Sequence, residues 1–101
     1  MAKKKPAKTF DGILKELGRL HDIKAADYGT DEDSLANVHQ AAEFGVEPWI
    51  YAAMRINDNV VRLKSLAMRR KLASGTAEES FKDIAVFGGI GVQLLREDEE
   101  E

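Results

Sequence analysis

The segment from Trp49 to Leu72, WIYAAMRINDNVVRLKSLAMRRKL, contains no glycine and no proline. It predicts one long helix entered through Glu47-Pro48, because proline's missing N–H costs nothing in the first turn, where that donor has no intrahelical partner. On the α-helical period of about 3.6 residues, Ala53, Ile56, Val60, Leu63 and Ala67 form one apolar stripe. Ile50, Met54, Val61, Met68 and Leu72 form a second. Two polar stripes separate them. Asn57, Lys64 and Lys71 make one; Arg55, Asp58 and Arg62, at i, i+3 and i+7, make the other. Apolar flanks on both sides predict a central helix with at least two packing partners. One polar stripe then faces water, and the second faces a groove between helices or a partner subunit. Charges in such a groove need partners or a ligand. Two readings follow: a structural Arg–Asp–Arg ladder of the i,i+3 and i,i+4 kind, or a row facing a ligand.

A chain of 101 residues is one domain with a modest core. Hydrophobic residues at 44% against 33% charged fit a globular chain, not a disordered one. Aromatic residues at 7% and few β-branched runs lean towards helix. A bundle this small is expected to complete its core as a homodimer or larger homo-oligomer. The net charge of −3 argues against nucleic acid as the main partner. The basic start MAKKKPAK (tail 1–9) and the acidic end EDEEE (tail 97–101) read as solvated tails around a domain over 10–96. Without cysteine there is no disulfide, no thiol chemistry and no Cys-based zinc site. No apolar run approaches the roughly 20 residues that span a bilayer, and the N-terminal stretch lacks a signal-peptide apolar core. The expected location is the cytoplasm, away from membranes.

A first helix is expected from Phe10 to Asp27, capped by Thr9 or Asp11, with Phe10, Ile13, Leu14, Leu17 and Leu20 inward. That inner face turns polar as it continues through His21, Lys24 and Tyr28. Gly29 suits a left-handed stop. Asp33 or Ser34 can cap a short helix, Leu35 to Phe44, carrying Asn37 and His39 and ended by Gly45. His39 reads as a surface residue, since one histidine without a neighbour at metal spacing is weak evidence for a ligand. Thr76-Ala-Glu-Glu79 reads as a capping box opening a last helix to about Arg96. Its inner side is expected to be Phe81, Ile84, Ala85, Phe87, Val92 and Leu95, with Asp83 among apolar neighbours. Gly88, Gly89 and Gly91 disfavour a helix interior by about 1 kcal/mol each against alanine, which predicts close backbone approach by a neighbouring helix or ligand. The outline is an all-α bundle of three main helices and one short one.

Polar residues on otherwise apolar faces are therefore His21, Lys24, Tyr28, Asn37, Arg55, Asp58, Arg62, Glu79 and Asp83. Asp58, Glu79 and Asp83 are candidate catalytic carboxylates and ligands for Mg²⁺, which takes a few carboxylate oxygens and keeps water and phosphate as its other ligands. Lys24, Arg55 and Arg62 can hold phosphates, guanidinium matching phosphate oxygens two at a time. That set suits metal-assisted attack of water on a nucleoside triphosphate. Glu79 also has a cap role, and Asp83 can instead pair with Arg55 or Arg62. No phosphate-binding glycine loop, dinucleotide fingerprint, zinc-protease motif or nucleophile elbow is present.

The ordered series His21-x-x-Lys24-x-x-Asp27-Tyr28-Gly29, Asn37, Ala53-x-Arg55-x-x-Asp58-x-x-x-Arg62 and Glu79-Ser80-x-x-Asp83-Ile84-Ala85-x-Phe87 resembles a family of small phage and bacterial proteins described as nucleotide-modification-associated or MazG-like. The resemblance spans roughly residues 10 to 96. It implies a relation to all-α nucleoside triphosphate pyrophosphohydrolases, which bind Mg²⁺ through acids on two helices, cleave between the α- and β-phosphates and act as dimers or tetramers. It implies metal ligation by Glu79, Asp83 and Asp58, and phosphate or base contacts from Lys24, Arg55 and Arg62. Those enzymes carry E-x-x-E on the earlier helix where this chain has Arg55-x-x-Asp58, and E-x-x-D on the later one, a spacing that falls here on Ser80 and Asp83. Fewer carboxylates means weaker metal binding. The alternatives to an enzyme are a non-catalytic nucleotide-binding protein and a purely structural helical dimer.

Overall fold

The structure, a computed structural model, describes residues 6–28, 35–69 and 76–99, with no account of the side chains of 24–28, 69 and 98. Among these residues the fold is all helical. Helix α1 is Phe10–Tyr28; α2 is Ala36–His39, continued by a 3-10 turn over Gln40–Phe44; α3 is Pro48–Arg69; α4 is Ala77–Glu99. Gly29, Asp33, Ser34 and the stretch 70–75 lie outside the described residues.

Local chemistry sets the helix ends. Thr9 caps α1: its Oγ1 accepts from the Gly12 amide at 3.1 Å, while Asp11 pairs with Lys15 at 3.5 Å on the surface. The residue before α2 is Leu35, which offers no side-chain cap. Gly45 closes the 3-10 turn at φ 78°, a left-handed conformation that costs a Cβ-bearing residue. Thr76 Oγ1 accepts from the Glu79 amide at 3.1 Å, the forward half of the capping box. Helix α4 runs past Arg96 to Glu99, so the acidic end is partly helical.

Helices α3 and α4 form an antiparallel hairpin. Towards the start of α3 and the end of α4, Ala52, Ile90 and Leu94 join Leu35 and Val38 in one buried cluster, with Tyr51, Val86 and Phe87 packed against it. Burial of each larger aliphatic side chain there contributes about 1.5–3 kcal/mol relative to exposure. The short helix α2 therefore acts as a plug: Val38, 1% exposed, closes the open end of the hairpin. Across that end, His39 Nε2 and Glu97 Oε2 meet at 3.0 Å, linking α2 to the last turns of α4. Helix α1 packs on α4 and, among its described side chains, buries Leu17.

The seam of α3 differs from both stripes read in the sequence. Ala52 and Asn59 are buried, and Ile56, Leu63 and Leu66 are half-buried. Ala53, Val60 and Ala67 of the first stripe are exposed, as are Ile50, Met54, Val61 and Met68 of the second. The reason is that α4 and the α2 segment pack on α3, and α1 gives its main contacts to α4. Helix α1 likewise buries Leu17 while Phe10 and Leu14 stay exposed. On α4 the buried positions are Ser80, Ile90 and Leu94, whereas Phe81, Val92 and Leu95, expected inside, face out. The close neighbour expected at Gly88, Gly89 and Gly91 is absent among the described residues: a Cβ at any of them would meet nothing within 4 Å.

Candidate functional site

Beyond the apolar plug, the hairpin seam becomes polar. A cleft of about 220 Å³ opens between α3 and α4, lined by Arg55, Asp58, Asn59 and Arg62 on one side and Glu79, Ser80 and Asp83 on the other. Helical spacing places the α3 residues together, since 55, 58, 59 and 62 fall within neighbouring turns of one face. The antiparallel crossing then sets the first turns of α4 against them. The Thr76 cap fixes where that helix begins, and so which of its residues reach the cleft.

Arg55 is held from two sides. Its Nη1 lies 3.5 Å from Asp58 Oδ2 one turn on, and its guanidinium carbon lies 5.8 Å from the centre of the Phe87 ring on α4. The ring face attracts the cation and takes little from its hydrogen-bonding capacity, so the remaining N–H groups stay available to an anion. Asn59 is 5% exposed and donates from Nδ2 to the Arg55 carbonyl oxygen at 2.9 Å, which fixes its amide against its own helix. Ser80, 2% exposed, stands at the floor on the α4 side. Among the described residues no buried side-chain nitrogen or oxygen is left without a hydrogen bond. Glu79 is exposed and Asp83 half-buried. The lining holds two guanidiniums and three carboxylates, a formal charge of −1.

Among the described residues, the cleft gathers Arg55, Asp58, Arg62, Glu79 and Asp83, from two helices. His21 is half-buried on α1 and is not part of this lining. Lys24 and Tyr28 belong to the same helix, and their side chains lie outside the described ones. Asn37 lines a second, mostly apolar cavity of about 350 Å³ with Phe44, Tyr51 and Met54. Asn59 and Ser80 were missed by the sequence reading. A signal for them exists: Ala52, Asn59 and Leu66, and Ser80, Phe87 and Leu94, are each spaced by seven, so both polar residues fall in otherwise apolar rows. His39, read as a surface residue, carries the half-exposed link to Glu97.

Among the described residues, no three Asp, Glu, His or Cys side chains converge closely enough to hold a metal ion by themselves. The donors present are nonetheless the oxygens that Mg²⁺ prefers, and that ion is commonly held by one or two carboxylates plus substrate phosphates. Glu79 and Asp83, one turn apart on the cleft side of α4, fit such partial ligation.

Among the described residues, no helix is long and apolar enough to cross a membrane. No protein-family model matches the chain, no curated protein matches it in sequence, and no solved structure matches it.

Proposed function

We propose that the α3–α4 cleft binds the phosphates of a (deoxy)nucleoside triphosphate together with Mg²⁺, and that the protein is a MazG-like nucleotide pyrophosphohydrolase of phage or bacterial nucleotide metabolism, working in the cytoplasm. The observation carrying this reading is the meeting of Arg55 and Arg62 with Asp58, Glu79 and Asp83 in one cleft. Guanidinium forks match phosphate oxygens in pairs. A lining of charge −1 does not by itself favour a polyanion, whereas a divalent cation held at Glu79 and Asp83 reverses that sign. Nucleotide binding is therefore Mg²⁺-dependent in this reading. Bound there, Mg²⁺ supplies charge neutralisation and polarisation of the phosphoryl group. Arg55 and Arg62 orient the chain of phosphates, and Asp58, Glu79 and Asp83 are the carboxylates available to position a water. The products are the monophosphate and pyrophosphate.

A second reading, binding without turnover, is favoured by one observation: Asp58 is already paired with Arg55 at 3.5 Å, which leaves it less available as a base or ligand. Thermal shift against a nucleotide panel, with and without Mg²⁺, separates both readings from a purely structural role. Stabilisation by nucleotide plus Mg²⁺ is expected. Pyrophosphate release that disappears in Asp83→Ala selects the enzyme; stabilisation without release selects the binding protein. No shift with any nucleotide removes both.

A further inference from the structure

Among the described residues, nothing packs on the outer face of α4. Phe81, Ala85, Gly88, Val92 and Leu95 follow one another at spacings of four, three, four and three, the repeat that keeps a coiled-coil row on one side of a helix. Phe81 is 62% exposed, Val92 48% and Leu95 47%. This row lies on a different face from the Ser80, Phe87 and Leu94 row that turns to the hairpin seam. No charged residue interrupts it. The comparable exposed row on α3, Ile50, Met54, Val61 and Met68, has Asn57 and Lys64 beside it.

Two further features say what covers this face. At its centre, Gly88 and the neighbouring Gly89 present open space where a Cβ would stand, which permits another backbone to approach closely. At its ends, Glu78 and Arg96 lie about five helical turns apart and so project from the same flank. We propose that α4 packs antiparallel on α4 of a second copy, about a two-fold axis close to Gly88. A parallel two-fold crossing carries the flank with Glu78 and Arg96 to opposite sides in the two copies and pairs neither. The antiparallel one sets Glu78 against Arg96 of the second copy, and does so twice by symmetry. Glu78, 78% exposed and 3.2 Å from Lys82 on its own helix, still has oxygen lone pairs for a guanidinium. Phe81 then meets Leu95 of the second copy at each end, and the glycines mark the crossing. The row and its charges complement themselves, which favours a second copy over an unrelated partner.

Sedimentation equilibrium of the full chain tests this. The expected mass is twice that of one chain. Val92→Arg halves it with the helical circular dichroism retained, and Val61→Arg on α3 leaves it unchanged. At low salt, Glu78→Arg and Arg96→Glu each shift the equilibrium towards monomer, and the double exchange restores the dimer. Should Val92→Arg unfold the chain, Gly88→Cys decides, because the chain has no other cysteine: mild oxidation gives a disulfide-linked pair. A single-chain mass for the unaltered protein overturns the proposal. So does a dimer that survives Val92→Arg in a folded chain, or one that leaves Gly88→Cys uncross-linked.

Discussion

Arg55 and Phe87 join the two helices of the hairpin, the guanidinium carbon standing 5.8 Å from the ring centre. The contact sits where the apolar plug ends and the polar cleft begins. Phe87→Leu keeps most of the apolar bulk and removes the ring face. It is expected to lower stability by about 0.5–1 kcal/mol beyond the packing change, measured by urea unfolding, and to weaken nucleotide binding because Arg55 loses one of its two restraints. Unchanged binding in a destabilised variant would confine the pair to a structural role.

Arg62 offers the second guanidinium. Arg62→Ala is expected to weaken Mg²⁺–nucleotide binding by about tenfold or more, the loss of a hydrogen bond to a charged group being worth about 1.5–3 kcal/mol. Titration calorimetry at fixed Mg²⁺ measures it, and a lysine at the same position should recover part of the loss, since it restores the charge without the fork. Equal affinities for all three proteins would sink the phosphate role.

The two functions of the Thr76–Glu79 turn are separable. The cap bond runs from the Glu79 amide to Thr76 Oγ1 and does not use the Glu79 carboxylate. Thr76→Ala is expected to cost about 0.5–2 kcal/mol, seen as a lower thermal midpoint. Glu79→Gln should leave that midpoint nearly unmoved while reducing the Mg²⁺ dependence of nucleotide binding. The reverse pattern would mean that the carboxylate serves the helix end.

Ser80 is 2% exposed at the cleft floor. Ser80→Leu overpacks the seam, with an expected cost of about 1–3 kcal/mol, and fills the cleft. Nucleotide-induced thermal stabilisation should vanish while Ser80→Ala keeps it. A Ser80→Leu protein that still responds to nucleotide would place the ligand elsewhere.

The plug and the exposed aromatic near it should differ sharply. Leu94 is 3% exposed and Phe44 84%. Leu94→Ala is expected to cost about 2–5 kcal/mol through lost burial and the cavity left behind, whereas Phe44→Ala should change unfolding free energy little. Comparable losses from both would mean that Phe44 is covered in solution.

Much of the fold was legible because helix boundaries are local events. Thr9, Gly45, Pro48 and Thr76 act through donors, acceptors and backbone angles within a turn of themselves. The row Arg55, Asp58, Arg62 was legible as polar between apolar stripes, and a groove between helices does receive it. His21 and Asn37 were legible only as exceptions to apolar patterns. Such an exception states no destination, and Asn37 lies in the other cavity. Asn59 and Ser80 were hidden because a small polar residue in an apolar row looks like noise until the facing helix is known.

By itself, the sequence determined an all-helical fold, the starts of α1, α3 and α4, and which side chains share a helix face, because those properties depend on neighbours within a few residues. Only the tertiary structure decided which face each helix buries. Helix α3 has more apolar surface than its partners can cover, so periodicity offers several stripes of similar hydrophobicity. The choice among them fell to the crossing of α4 and the seating of Val38, which no local pattern encodes. That choice turned Asn59 and Ser80 inward, left Val61 and Phe81 outside, and put the guanidiniums of one helix opposite the acids of the other.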